Sequence, residues 1–312
     1  MVLVALGGAG LVPLYHWLHP ATTSVGASRT DASAQPAASP TPAGPSLAPF
    51  GVLFDGFHYG DRNDASLKAH GWSARTYPGG PGIKDTWSNA GLSFPKVQSA
   101  QGGQVMQLQV TSDGTKAGTH QTELESTEPT FYDGTYAARI YFTDGPAVGK
   151  NGDHINESFY AISSPNETRQ YSELDYEYMP NGGWGSIRPE LDTTSWHSSK
   201  QGDRVYHPTY QRLHGWHTVM ITVHDGRTDY LLDGKKLFSN DASYSLHGPV
   251  DVAFSTWLID LPFAGKRTWN MQVNWFYYQA GKVLTLSQVN KAVKGYYVHG
   301  QTYVNTLAAS PR

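Results

Sequence analysis

The chain has 312 residues, a formal net charge of −3 and no cysteine. This length fits one large domain or two small ones. The lack of cysteine excludes disulfides, thiol catalysis and cysteine metal sites, and the near-neutral charge indicates neither nucleic acid nor an anionic membrane as a partner. With 33 glycines, 9 tryptophans and 19 tyrosines, the composition favours an all-β protein, because aromatic residues favour strands and glycine marks turns.

The first 49 residues have a different composition from the rest of the chain. Residues 1–19 are mostly apolar and resemble a secretory signal or an N-terminal anchor, although the run lacks a basic start. Residues 20–49 are rich in Ala, Ser, Thr and Pro, a composition that predicts a disordered linker. We expect residues 50–312 to form one folded domain of a secreted, extracellular protein, with no membrane contact beyond a retained anchor.

Short apolar runs separated by turn signals recur through the domain, and each predicts a strand. The predicted strands before the middle of the domain are 105–111, 134–142 and 158–163, and those after it include 250–259 and 271–279. Strands this numerous, with little helix, indicate a β-sandwich or a jelly roll.

The segment 171–185 carries the most informative pattern, because Glu173, Asp175 and Glu177 alternate there with apolar residues. Successive side chains of a strand point to opposite faces, so the three acids share one face. Neighbouring carboxylates repel each other and are costly to bury. The pattern therefore indicates acid–base chemistry or a metal site, against the alternative of a solvated strand face paired with Arg or Lys. The similar alternation of Glu190 and Asp192 has no obvious role.

Two Asp-Gly pairs predict tight turns. Asp225-Gly226 separates the apolar runs 216–223 and 228–232, and Asp233-Gly234 follows the second run. Asp-Gly between alternating apolar residues is the strongest short-range hairpin signal.

The last part of the chain predicts one short helix. Thr285 and Gln288 match a capping box, which places the helix over the following residues 289–293. The tail from Gly295 to Val304 is strand-like again.

Four segments, in this order, resemble the family 16 glycoside hydrolases, the laminarinase, lichenase and agarase group. They are 132–141, the Glu-x-Asp-x-Glu strand 173–177, the hairpin within 215–237 and the strand 270–278. The resemblance covers about residues 50–281 and implies an all-β, concanavalin A-like β-jelly roll sandwich. Departures just before and after the acidic strand indicate a divergent member.

The resemblance also implies a secreted, endo-acting hydrolase that cleaves a β-linked polysaccharide, of glucan or galactan type, with retention. Glu173 would be the nucleophile, Glu177 the acid/base, and Asp175 would lie between them with a hydrogen bond to the nucleophile. Retaining enzymes hold the two carboxyl groups about 5 to 5.5 Å apart. The Cα atoms of residues four apart in a strand are roughly 13 Å apart, so the side chains must lean together or the strand must curve.

Several residues are candidates for sugar binding. Trp184, Trp196 and Trp257 could stack on pyranose rings, with core packing as the alternative for each. Asn181 and Trp184 follow the acidic strand, which places them in a loop at the rim of the site. His197, beside Trp196, could bond a sugar hydroxyl or a catalytic carboxylate, or be a neutral structural residue.

We expect no metal ligands in the site and no cofactor. The resemblance places the early segment 54–58 where some members of that family bind a structural calcium, and Asp55 is the one carboxylate there that could ligate it. We expect a polysaccharide as partner, no nucleic acid, and a monomer. Asn156-Glu-Ser and Asn166-Glu-Thr match the N-glycosylation pattern, which has meaning only in a eukaryotic secretory pathway.

Two other functions fit parts of the sequence. A non-catalytic, lectin-like module of the same fold would bind glycans through its aromatic residues and use the acids structurally. A polysaccharide lyase would act on uronates, which the acidic strand would repel.

Overall fold

The computed structural model describes residues 51–163 and 171–307. The predicted signal or anchor, the whole predicted linker and the sequon at Asn166 lie outside the described residues. No helix within the described ranges has the length and apolar character needed to cross a membrane.

Sixteen strands and two α-helices form this part of the chain, joined by short 3-10 turns at Asn89–Gly91, Gln101–Gly103 and Ala242–Tyr244. The helices are α1 (Ala65–Ala69) and α2 (Leu286–Val298). The strands are β1 (Val52–Asp55), β2 (Trp72–Ala74), β3 (Leu92–Ser93), β4 (Met106–Ser112), β5 (Thr122–Ser126), β6 (Gly134–Phe142), β7 (Ile155–Ile162), β8 (Glu173–Met179), β9 (Glu190–Trp196), β10 (Arg204–Thr209), β11 (Gly215–His224), β12 (Arg227–Leu232), β13 (Lys235–Asn240), β14 (Asp251–Leu258), β15 (Arg267–Ala280) and β16 (Tyr303–Asn305).

The strands form two antiparallel sheets, so the predicted all-β sandwich is confirmed. One sheet has seven strands in the order β10-β9-β8-β7-β14-β5-β2. The other has nine, in the order β13-β12-β11-β6-β15-β1-β16, with β4 paired to β15 and β3 to β4. Strands far apart in sequence are neighbours in both sheets, as in a jelly roll.

The acidic strand β8 is an interior strand of the seven-stranded sheet, third from the β10 edge. Its alternation divides its side chains between two environments. Leu174, Tyr176 and Tyr178 belong to the core between the sheets. The Tyr176 hydroxyl also donates to the carbonyls of Met220 (2.8 Å) and Leu231 (3.0 Å) on the opposite sheet. The core therefore fixes β8, and its acids project from the outer face.

The predicted hairpins and helix are present. Asp225 and Gly226 have φ angles of 48° and 71°, and Asp233 and Gly234 have 50° and 81°. Positive φ at both central residues is the requirement of a type I′ turn, which Asp-Gly meets at little cost.

Thr285 caps α2 through a capping box with Gln288, as predicted. The prediction of a strand-like tail from Gly295 was wrong up to residue 302, because α2 continues to Val298 and β16 begins only at Tyr303. Tyr296 and Tyr297 pack on Phe54 of β1 at ring-centroid distances of 5.0 and 5.4 Å, and this tertiary contact favours helix beyond the point where local sequence does.

One acid on the core side of the seven-stranded sheet makes stability depend on pH. Glu157 of β7 is fully buried, and Thr143 donates to it from its backbone N (3.1 Å) and its hydroxyl (2.6 Å). Burial raises the pKa of Glu157 to about 8, although the Thr143 donors lower it. The folded chain therefore keeps a proton that the unfolded chain releases near pH 4.3.

We expect Glu157→Gln to flatten the pH dependence of stability. The stabilising effect of this proton is complete below about pH 4.3 and is lost as the pH rises towards 8, so the free energy of unfolding of the native chain should fall by about 1.4 kcal/mol more per pH unit than that of the variant. Urea unfolding between pH 5 and pH 8 measures the slopes, with the exposed Glu128→Gln as control. Equal slopes in the native chain and Glu157→Gln would contradict the expectation.

Candidate active site

The acids of β8 lie in a pocket on the outer face of the seven-stranded sheet. Antiparallel pairing of β7 with β8 places Tyr160 of β7 beside Asp175 and Ser158 of β7 beside Glu177. The pocket has an empty volume of about 1040 Å³ including its open mouth, at the upper end of the range of ligand sites. We call it the acidic pocket; it is lined by Arg75, Tyr77, Gly79, Gly80, Pro81, Glu123, Glu125, Ser158, Tyr160, Ile162, Ser163, Glu173, Asp175, Glu177, Asp251, Ala253, Ser255 and Trp257.

Glu173 is the acid with the better donors. The Tyr171 hydroxyl donates to its Oε2. Asp175 Oδ2 is buried and has no donor among the described residues. Burial and the charges of Glu173 and Glu177 raise the pKa of Asp175 well above its usual value. Burial raises the pKa of Glu173 to about 7, while the Tyr171 hydroxyl and Asp175 oppose the increase. A proton kept on Asp175 can be donated to Glu173, and both donors favour the ionised form of Glu173.

Glu177 has one neutral donor, the Asn156 side-chain amide, at 2.7 Å. Burial raises the pKa of Glu177 to about 7, and the charge of Glu173 adds to the increase while Asn156 opposes it. Ionisation of Glu173, the acid with two donors, therefore makes Glu177 hold its proton more tightly. One carboxylate beside one carboxylic acid is the arrangement that general acid catalysis with a nucleophile requires.

The acids Glu190 and Asp192 extend this cluster onto β9. Asp192 is the neighbour of Glu177 across the strands, and Glu190 follows on the same face. Asp192 Oδ1 and Glu190 Oε2 are buried with no donor among the described residues. Burial, together with a hydrogen bond to Glu190 and its charge, raises the pKa of Asp192 to about 9. Asp192 therefore keeps its proton, and both side chains lie beside Glu177 on the side away from the acidic pocket.

Arg75 fixes the far end of the acidic pocket. Its guanidinium pairs with Glu123 at 3.3 Å, donates to the Gly80 carbonyl at 2.7 Å and lies over the Tyr77 ring at 4.4 Å. Glu123 also accepts from the Tyr160 hydroxyl at 2.8 Å. These bonds join β2, β5 and β7 and hold the loop at residues 79–81 as a wall.

The solved structures are the known proteins to which this chain is similar. No protein-family model matches the sequence, and no curated protein matches it either. Solved structures do. A family 16 endo-glucanase from Bacteroides ovatus has 16% identity over 72% of this chain and 98% of its own, with a TM-score of 0.55.

Two further solved structures are similar to the same degree. A β-glucanase from Bacillus licheniformis has 16% identity over 75% of this chain and 99% of its own, with a TM-score of 0.52. A laminarinase from a Flavobacterium species has 14% identity over 72% of this chain and 98% of its own, with a TM-score of 0.53. The fold is that of the family 16 glycoside hydrolases. At such low identity the likeness establishes the fold, and the chemistry has to be argued from the residues.

The predicted sugar-binding residues on this fold lie in different places. Trp257 lines the acidic pocket, and the Trp184 ring packs against it at a centroid distance of 6.0 Å. Trp184 has a φ of 47° in the loop after β8. The Asn181 amide donates to Asn151 Oδ1 (2.8 Å) and to the Asp153 carbonyl (3.0 Å). Asn181 thus holds the loop that carries Trp184, and its role as a direct sugar ligand stays a prediction.

Trp196 and His197 lie on the other side of the acids. Trp196 pairs with Glu173 across the strands, and Arg204 covers its ring at 4.7 Å. His197 pairs with Asp203 at 3.3 Å and contacts the ring of His247. Neither residue lines the acidic pocket. They belong to the neighbouring β9–β10 region, where their contact with a sugar stays a prediction.

Asp55 has a structural position. It is buried and accepts from the Phe57 backbone N (2.7 Å), the Trp72 indole (2.8 Å) and the Tyr59 hydroxyl. These donors occupy the oxygens that a calcium ion would need, so the calcium ligand considered from the sequence is a core carboxylate instead. Among the described residues no group of three or more His, Asp and Glu side chains could hold a metal.

Asn156 is a candidate functional residue because it bonds Glu177. From the sequence it was noted only as part of an N-glycosylation pattern. Its side chain is fully buried and bonds Glu177, so it is inaccessible to a glycosyltransferase in the folded chain. The alternation of β7 was the available signal, because it places residues 156, 158 and 160 on one face. Arg75, Glu123 and Asp251 gave no such signal, since only the sheet topology brings them to β8.

Proposed function

We propose that the protein is a secreted, endo-acting glycoside hydrolase that cleaves a β-linked polysaccharide with retention. The observation that carries the proposal is the placement of Glu173, Asp175 and Glu177 together in a pocket of a family 16 hydrolase fold. Glu173 has two donors and Glu177 has one neutral donor, a difference that favours the carboxylate at Glu173 and the carboxylic acid at Glu177. A surface strand face without a function would hold its acids exposed and paired with cations.

The roles follow from the donors. Glu173, held ionised by Tyr171 and Asp175, attacks the anomeric carbon, while Glu177 gives its proton to the leaving oxygen. The product is a glycosyl ester on Glu173 and a free sugar chain. Glu177, now ionised, takes a proton from water, and the resulting attack on the anomeric carbon releases Glu173 as a carboxylate. Each residue ends in the state in which it began.

The comparisons and the pocket chemistry support a substrate class. The solved structures of similar fold are named as a β-glucanase, an endo-glucanase and a laminarinase, which supports a β-glucan or a related galactan and internal cleavage. A uronate polymer fits poorly, because its carboxylates would meet Glu125, Asp251 and the acids of β8. Export is supported by the apolar first residues and the Pro-rich segment that follows, and we propose a monomer.

The test is a polysaccharide screen with the purified full chain. Incubation with β-1,3-, β-1,4- and mixed-linkage glucans and with galactans, followed by product sizing, should give a ladder of oligosaccharides from at least one polymer. Ultraviolet-absorbing, unsaturated product ends would indicate a lyase instead. Undiminished binding with no release of reducing ends from any polymer would indicate a lectin-like module.

The protonated state of Asp175 gives a further expected result. Asp175→Asn keeps a neutral donor beside Glu173, so kcat should fall by about ten-fold or less, whereas Asp175→Ala removes the donor and should cost roughly 10²-fold. In Asp175→Ala the pKa of Glu173 should rise, and the acidic limb of the pH–rate profile should move to higher pH. Full loss of activity in Asp175→Asn, with retained folding, would mean that Asp175 acts as an anion.

A further inference from the structure

The acidic pocket contains two carboxylates that the proposed reaction does not use. Glu125 of β5 accepts from the Tyr77 hydroxyl at 2.8 Å, and Asp251 of β14 accepts from the Ser126 hydroxyl at 3.2 Å. Both are only partly exposed. The nearest guanidinium of the pocket, Arg75, is engaged by Glu123 and by loop carbonyls. Within residues 51–163 and 171–307, neither Glu125 nor Asp251 has an ion-pair partner.

The side chains of Glu125 and Asp251 are neighbours of a small residue, Ala253, at the bottom of the pocket. Ala253 of β14 lies between Glu125 and Tyr160 in the strand register, and Asp251 and Ser255 flank it on the same face. A methyl group between larger neighbours leaves room above the sheet. Two strand spacings separate Ala253 on β14 from Asp175 on β8, a distance of about 10 Å. The recess is therefore a separate subsite, away from the reacting bond.

A second observation marks the recess as incomplete without a ligand. Ser255 is 1% exposed and lines the same pocket, yet its Oγ has no hydrogen-bond partner among the described residues. Buried hydroxyls are almost always bonded, and an exception calls for an explanation. A ligand that carries both hydroxyls and a positive charge would satisfy Ser255 and neutralise the two acids.

We propose that this recess binds the ammonium group of an amino sugar between Glu125 and Asp251, so that the enzyme acts on β-linked polysaccharides with free amino groups. The inference rests on the proposed function for the site but concerns substrate class alone. Burial raises the pKa of Glu125 to about 7, with the charge of Glu123 adding to it, and burial raises that of Asp251 to about 6. Such shifts are those of desolvated carboxylates that lack a close cation.

The test compares binding of oligosaccharides that differ only in the amine. Glucosamine oligomers, fully deacetylated, and their N-acetylated counterparts are titrated calorimetrically into full-length Glu173→Gln, which prevents turnover. The deacetylated oligomer should bind about ten-fold tighter, as expected for roughly 1.4 kcal/mol from a charged hydrogen bond. The advantage should shrink at high salt and disappear when Glu125→Gln and Asp251→Asn are added.

Glu128→Gln is the matched control, because it removes the same charge from an exposed side chain outside the acidic pocket and should leave the advantage unchanged. Equal binding of the two oligomers, or an advantage that survives in the Glu125→Gln, Asp251→Asn variant, would overturn the inference. Its failure is distinguishable from failure of the proposed function. A chain that hydrolyses neutral glucans without an amine preference refutes only the amino-sugar subsite, and one that prefers the amine but cleaves no polymer refutes only the hydrolase.

Discussion

Glu173→Gln is expected to lose roughly 10³-fold or more in kcat on any polysaccharide that the native chain cleaves. The amide has nearly the same shape but cannot form the glycosyl ester. Tyr171 and Asp175 surround this position with donors, and they would orient the amide without making it nucleophilic. Reducing-end release by the purified variant measures the loss, and the thermal unfolding midpoint shows whether the fold survives.

Glu157→Gln is the matched control for that experiment. It makes the same substitution at a buried position of the neighbouring strand, but on the core side of the sheet. It should keep native kcat below pH 7 while Glu173→Gln does not. Substantial turnover by folded Glu173→Gln would exclude Glu173 as the nucleophile.

Glu177→Gln should lose about 10²- to 10⁴-fold in kcat on polysaccharides, because a sugar hydroxyl leaves poorly without a proton. The loss should be much smaller in the first step on an aryl glycoside with an acidic phenol, which leaves without protonation. The variant should then release one equivalent of phenol in a burst and turn over slowly, since no base activates water for the second step. Stopped-flow absorbance on a nitrophenyl glycoside of a cleaved oligosaccharide measures both phases.

The pH–rate profile gives a second readout for Glu177. In the native chain the basic limb should fall as Glu177 loses its proton near pH 7, and in Glu177→Gln this limb should be absent from the burst phase. Equal losses on the polysaccharide and on the activated aryl glycoside would assign Glu177 a structural role instead.

The sequence alone predicted those structural elements that depend on interactions between residues close together in the chain. The Asp-Gly turns, the capping box at Thr285 and the alternation in β6 and β8 appear where the pattern predicted them. The end of α2 was not predictable, because packing of Tyr296 and Tyr297 on Phe54 comes from a strand more than 200 residues away. Tertiary contacts routinely decide such boundaries.

The residues of the candidate site also fall into two groups, those that the sequence identified and those that it did not. The three acids of one strand could be found from their spacing, since the spacing itself places them on one face. The alternation of β7 groups Asn156 with residues 158 and 160 but does not place it beside Glu177. Asp192 and the residues of β5 and β14 could not be assigned to the site, because they reach the acids only through strand register. Register depends on which strands pair, and in this fold neighbours such as β14 and β5 are separated by more than 100 residues along the chain.

The stereochemistry of the first product tests the central proposal most directly. Proton NMR during hydrolysis of a β-linked oligosaccharide, recorded before mutarotation, shows which anomer is released. Two displacements at one carbon by Glu173 and then by water restore the β configuration, so the β-anomer should appear first. Initial release of the α-anomer would contradict the assignment of Glu173 as a nucleophile and would require a water between the two carboxyl groups instead.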